Sequence, residues 1–241
     1  MTTPAIKTAI SPALDPDTYR AVEGYNDSTR GYVDDVVSTM QDIYITLGKL
    51  VDARKLADSN PAWSDEQRVL VVGAEAAKQK ERLAGRLDRA VRDLGTRIAH
   101  TEGELLKPVQ QAAAGPLAAE VRGHFKSLNS GERSKLIQEA LASDDEATLQ
   151  AVLGAQPFLS GMTAVDRDHF MGLYHAKKQP QLVARLDFMR RIRDTMDRSG
   201  ANGPAFHRSF ERVVGAAPSV VSAIARANQR AVDALKIEPT A

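Results

Sequence analysis

Few side chains in this sequence stand at spacings that could do chemistry, and most of the candidates are histidines. Asp166, Asp168 and His169, with His175 further on, are the residue types that ligate a divalent cation. On a helix Asp166 and His169 share a face at i,i+3, whereas His175 points elsewhere. Acids in a first helical turn are also favoured by the helix dipole alone, so no metal site is expected here. His100 and Glu104 stand at i,i+4, the spacing of an acid–base pair, and equally of an exposed contact along a helix. The second reading is preferred. His124, between Arg122 and Lys126, could touch a phosphate, but without a glycine-rich cradle it reads as the polar side of a short helix. His207 has no evident partner in sequence. Walker-type loops, dinucleotide glycine fingerprints, nucleophile elbows and the two-histidine zincin pattern are all missing. With no cysteine there are no disulfides and no thiolate metal sites. The expectation is a protein that is not an enzyme, with no catalytic residue, no cofactor and no bound metal.

The other candidate is electrostatic. Lys177, Lys178, Arg185, Arg190, Arg191, Arg193 and Arg198 form a basic segment that could neutralise nucleic-acid phosphates, with binding that weakens steeply in salt. Asp187, Asp194 and Asp197 interrupt it, no aromatic residues interleave for base stacking, and Leu182, Leu186, Met189 and Ile192 form an apolar stripe opposite. A surface for a protein partner, centred on Arg190, Arg191 and Arg193, is preferred. Nucleic-acid association through residues 177–198 is the alternative.

Scarce aromatics and abundant Ala, Leu, Val, Arg, Asp and Glu favour helices packed through aliphatic side chains, and the fold class expected is all-α. Two heptad-patterned stretches dominate the first half. One runs Tyr19, Val22, Asn26, Thr29, Val33, Val36, Met40, Ile43, Leu47, Leu50; the other runs Leu70, Gly73, Ala77, Lys80, Ala84, Leu87, Val91, Leu94, Ile98, Thr101, Leu105. A Pro-containing turn, Asp58 to Trp63, separates them, and Ser64 with Gln67 fits a capping box opening the second helix. A long antiparallel, coiled-coil-like hairpin over residues 15–108 is therefore predicted, with a break near Gly31 in its first arm and its second arm ending before Pro108. Paired residues would have numbers summing to about 123, which places Asp34 and Asp35 near Arg86 and Arg89, and Asp42 near Lys78, Lys80 and Arg82. The small residues Gly73, Ala74, Ala76 and Ala77 would let the arms approach closely. One hairpin cannot hide so long a stripe. Leu87, Val91, Leu94 and Ile98 are accordingly predicted as contact residues toward other helices or a second subunit.

Net charge is +1, but the signs come in blocks. Lys/Arg against Asp/Glu number seven to eleven over residues 1–70, seven to four over 71–100, six to ten over 101–176 and twelve to six over 177–241. Acidic helices pairing with basic ones, within the fold or between subunits, would produce this alternation.

Residues 1–14, with two prolines and no periodicity, read as a flexible arm. Beyond the Ala-Gly-Pro joint at 112–116, helices are predicted at about 117–127, 131–142, 145–154, 164–177, 180–198, 204–214 and 218–236. Ser130, Ser143 or Asp144, and Thr163 are their N-cap candidates. Residues 116–199 form a compact helical module, and 200–241 form C-terminal helices and a tail. The last helix is amphipathic, with Val220, Val221, Ile224, Ala227, Ala231 and Leu235 on one side. No signal segment or membrane span is expected.

The stretch from Phe125-Lys126-Ser127-Leu128-Asn129-Ser130-Gly131-Glu132-Arg133 to Pro157-Phe158-Leu159-Ser160-Gly161-Met162 resembles a segment of uncharacterised helical proteins of tailed bacteriophages. The resemblance implies a virion or particle-assembly component, made in the host cytoplasm and then carried in the virion. Its partners would be further copies of itself or other particle proteins, and the resemblance brings no catalytic residues with it.

Overall fold

The structure is a computed structural model and describes residues 10–236. It is all-α, with no strand among the described residues. The helices are α1 (Pro16–Arg20), α2 (Asp34–Asp58), α3 (Asp65–Ala112), α4 (Pro116–Ser127), α5 (Ser130–Ser143), α6 (Glu146–Leu153), α7 (Pro157–Ser160), α8 (Ala164–Lys178), α9 (Pro180–Ser199), α10 (Pro204–Val214) and α11 (Pro218–Ala234). Two 3-10 turns, Pro12–Leu14 and Arg30–Tyr32, precede α1 and α2. Prolines open α1, α4, α7, α9, α10 and α11, where a missing amide costs no helical hydrogen bond.

The chain forms two compact units, one of Met1–Gly95 with Met189–Ala241 and one of Thr96–Phe188. Both α3 and α9 therefore contribute to each unit, a different partition from the 15–108, 116–199 and 200–241 division expected. The physical reason is long-range: α10 packs on α2, with Phe206, Phe210 and Val213 buried, so the late helices rejoin the first ones.

In the first unit, Tyr19, Met40, Ile43, Leu47 and Leu83 are buried at its centre. Residues 1–9 of the expected flexible arm lie outside the described residues, but 10–14 are packed: Ile10 and Leu14 are buried, and Tyr19 Oη donates to the Ala13 carbonyl at 2.8 Å. The first heptad stretch is not one helix. Gly24, at φ 96°, turns the chain, and the Asn26 and Thr29 side chains bond locally around it. These polar side chains offer the backbone an alternative to the helix, which resumes at Asp34. From there α2 and α3 run antiparallel. Ser38 accepts from Arg86 at 3.2 Å, close to the expected register, but the guanidinium reaches one turn further to pair with Asp42 in place of Lys78, Lys80 or Arg82.

The helix α3 does not stop before Pro108. Pro108 sits within its last turns, where Val109 and Ala113 are buried, and burying those side chains outweighs the one lost hydrogen bond. The second unit is built around Val109, Phe125, Ile137, Leu149, Val152, Leu153 and Phe170. Gly154 permits a close approach: a Cβ there would overlap the Val109 carbonyl and lie 2.8 Å from Ala113 Cβ. The N-caps fall at Asn129, in a full capping box with Glu132, at Asp145 and at Thr163. Ser130 and Ser143 are inside α5 instead, and Asp144 ends it in the left-handed region at φ 59°.

Candidate functional site

The predicted contact stripe on α3 is turned inward. Leu87, Leu94 and Ile98 are buried within the chain and Val91 is half-buried, so these residues are core and present no docking face. Of the two covers expected for this stripe, other helices or a second subunit, burial within the single chain fits the first. The small residues near the start of α3 likewise serve another partner: a Cβ at Gly73 would lie 3.2 Å from Val221 and 3.6 Å from Val214. They admit α10 and α11.

Lys177, Lys178, Arg185 and Arg191 of the basic segment pair with carboxylates of their own chain. Lys177 and Lys178 meet Asp144 at 2.9 and 3.2 Å, Lys178 also meets Glu146 at 2.6 Å, and Arg185 meets Glu104 at 3.0 Å. Hydrogen bonds from Lys177 and then Lys178 hold the Asp144 carboxyl below the usual carboxylate range, and Glu146 and Asp144 raise Lys178. Arg191 pairs with Glu23 at 2.8 Å, Arg190 is engaged as well, and Arg193 is half-buried. Cations already paired this way have fewer counterions to release to a phosphate backbone.

The histidine candidates are not brought together. Asp166 accepts from Thr163 in the cap of α8, Asp168 pairs with Arg167 at 3.2 Å, and His169 lies edge-on to Phe170. His175 is buried with neither ring nitrogen hydrogen-bonded, and burial lowers its pKa. Among the described residues, no group of three His, Asp or Glu side chains is placed to hold a metal ion. His100 Nδ1 is 3.6 Å from Glu104, in a shallow recess of about 510 Å³, but Arg185 competes for the same carboxylate. Arg122 does not wait for phosphate. It donates to the Ala113 and Ala151 carbonyls at 2.8 and 3.2 Å.

Arg122 is one of a set that sequence reasoning missed. Arg133 donates to the carbonyls of Phe125, Lys126 and Gly161, Arg167 to that of Leu153 at 2.8 Å, and Arg54 to that of Val214. Each meets helix-end carbonyls, where positive charge also complements the dipole. Nothing in their local spacing separates them from solvent-facing arginines.

Some large apolar side chains remain on the surface. Leu56 is 72 % exposed, Phe158 69 %, Val165 78 % and Leu235 77 %. Leu56 stands beside a cleft of about 420 Å³ between the end of α2 and the start of α3, lined also by Leu50, Trp63, Val71 and Glu75. No residue of α11 is buried. No described helix is long and apolar enough to cross a membrane. Comparison of the chain with protein-family models, with curated proteins and with solved structures finds no match.

Proposed function

We propose that the chain is a noncatalytic structural or assembly protein, a component of a bacteriophage virion or of its assembly, that works through helical contacts with itself or with other particle proteins. The observation that carries the reading is the set of large apolar side chains left outward, Leu56, Phe158, Val165 and Leu235, while the chain fills its own core. Exposed aliphatic and aromatic side chains of this kind favour protein contact, since each gains roughly 25 cal/mol per Å² when covered. The paired state of the basic segment supports a protein partner over nucleic acid.

The test is recovery of the tagged full chain from cells producing the particle. The reading expects the protein in purified particles, or in assembly intermediates, at a fixed ratio to another particle protein. Its absence from every particle fraction, with duplex or single-stranded DNA binding that weakens log-linearly with salt, would favour the nucleic-acid alternative instead.

A further inference from the structure

The last helix, α11, is held by the chain only at its first turns. Val221 sits against Gly73, and Val221 and Ile224 are half-buried, whereas every position from Ala225 to Lys236 is exposed. A free helix of this length is marginal in water, and most helical stability in proteins comes from packing an amphipathic face. Beyond Ile224 that face carries Ala227, Ala231, Val232 and Leu235 with nothing over it. Its polar side is basic, with Arg226, Arg230 and Lys236 against Asp233.

The same unit offers a complementary surface. The cleft between α2 and α3 is apolar along Leu50, Leu56, Trp63 and Val71, and Glu75 lies on its wall. Over residues 52 to 75, Asp52, Asp58 and Asp65 pair with Lys55, Arg54 and Arg68, and Glu66 and Glu75 are left in excess. The first turn of α11 meets α3 on the side of Gly73, Ala76 and Ala77, whereas the cleft opens on the side of Val71, Val72 and Glu75.

We propose that the tip cleft of one copy receives the outer half of α11 from a second copy. This deepens the assembly reading above and rests on it. Apolar residues on both partners would be covered together, and Arg226 and Arg230 would complement the excess charge of Glu66 and Glu75, which also speeds encounter. The two surfaces differ, so the contact is either exchanged reciprocally about a two-fold axis or propagated head to tail.

The experiment follows the full-length protein by sedimentation and by the emission of Trp63, the only tryptophan in the chain. Raising the concentration should build a species of higher mass together with a blue shift of Trp63, and both should weaken as salt rises from about 50 to 500 mM. Leu235→Asp, Leu56→Asp and the double change Arg226→Glu with Arg230→Glu should each weaken association by about ten-fold or more. Because all four side chains are exposed, thermal stability of the monomer should hold. Association with no Trp63 shift, or unaffected by these changes, would overturn the cleft contact while leaving the assembly reading in place. A wild-type chain that stays monomeric yet is recovered in particles would overturn self-docking only. A monomer absent from particles overturns both.

Discussion

Removing one hydroxyl, in Tyr19→Phe, should change how stability responds to alkali. Tyr19 is fully buried, and burial pushes its phenol from an ordinary value of about 10 up to about 12. A raised folded-state pKa means the native state binds the proton more tightly than the unfolded chain. That contribution is fully present below about pH 10 and is lost as pH rises toward about 12. Two units at about 1.36 kcal/mol each give roughly 3 kcal/mol over the window. The phenylalanine variant loses the hydrogen bond to the Ala13 carbonyl, about 1 kcal/mol at neutral pH, but carries none of the titration. Urea unfolding of both proteins between about pH 8 and 11.5 isolates the effect, since the other titrating groups are common to both. The variant should begin less stable and overtake the wild type near about pH 11. A constant gap across the range would refute the reasoning, and with it the packing of residues 10–20 against the first unit.

Three other outcomes can be stated now. Gly154→Ala should destabilise the second unit by about 1–3 kcal/mol in chemical denaturation, because the new methyl meets the Val109 carbonyl and Ala113; a loss under about 0.5 kcal/mol would contradict that approach. Tyr44→Phe should be neutral or stabilising to within about 1 kcal/mol, since the buried Tyr44 hydroxyl has no hydrogen-bond partner, and a loss beyond about 2 kcal/mol would reveal one. His175 has its pKa lowered by burial, so its contribution is present above about pH 6.5 and is lost as pH falls below it. His175→Phe should flatten that part of an acid denaturation profile, and an unchanged profile would assign the acid sensitivity elsewhere.

Helix limits in the second half were legible because the punctuation is local. Pro116, Pro180, Pro204 and Pro218 open helices, and Gly215, at φ 74°, closes α10 in the left-handed region that suits glycine. The break after α1 was only partly legible. Gly31 was visible, but the turn is made at Gly24 and held by Asn26 and Thr29, whose heptad spacing disguised them as seam residues. The four-residue helix α7 is too short to show a period. Pro108 was misleading for a different reason: its local preference yields to the burial of Val109 beyond it. Most of the surface was hidden for the same cause. Whether Leu94 is core and Leu235 exposed depends on helices returning from far along the chain, and whether Arg122 or Arg191 is free depends on carbonyls and carboxylates equally remote.

The most direct test of the assembly account is hydroxyl-radical footprinting of the full chain, free and within the complex recovered from producing cells. The account predicts that Leu56, Phe158, Val165 or Leu235 loses reactivity on assembly, while the buried Leu87, Leu94 and Phe125 remain unreactive in both states. Full reactivity at all four exposed positions in the assembled state would contradict it.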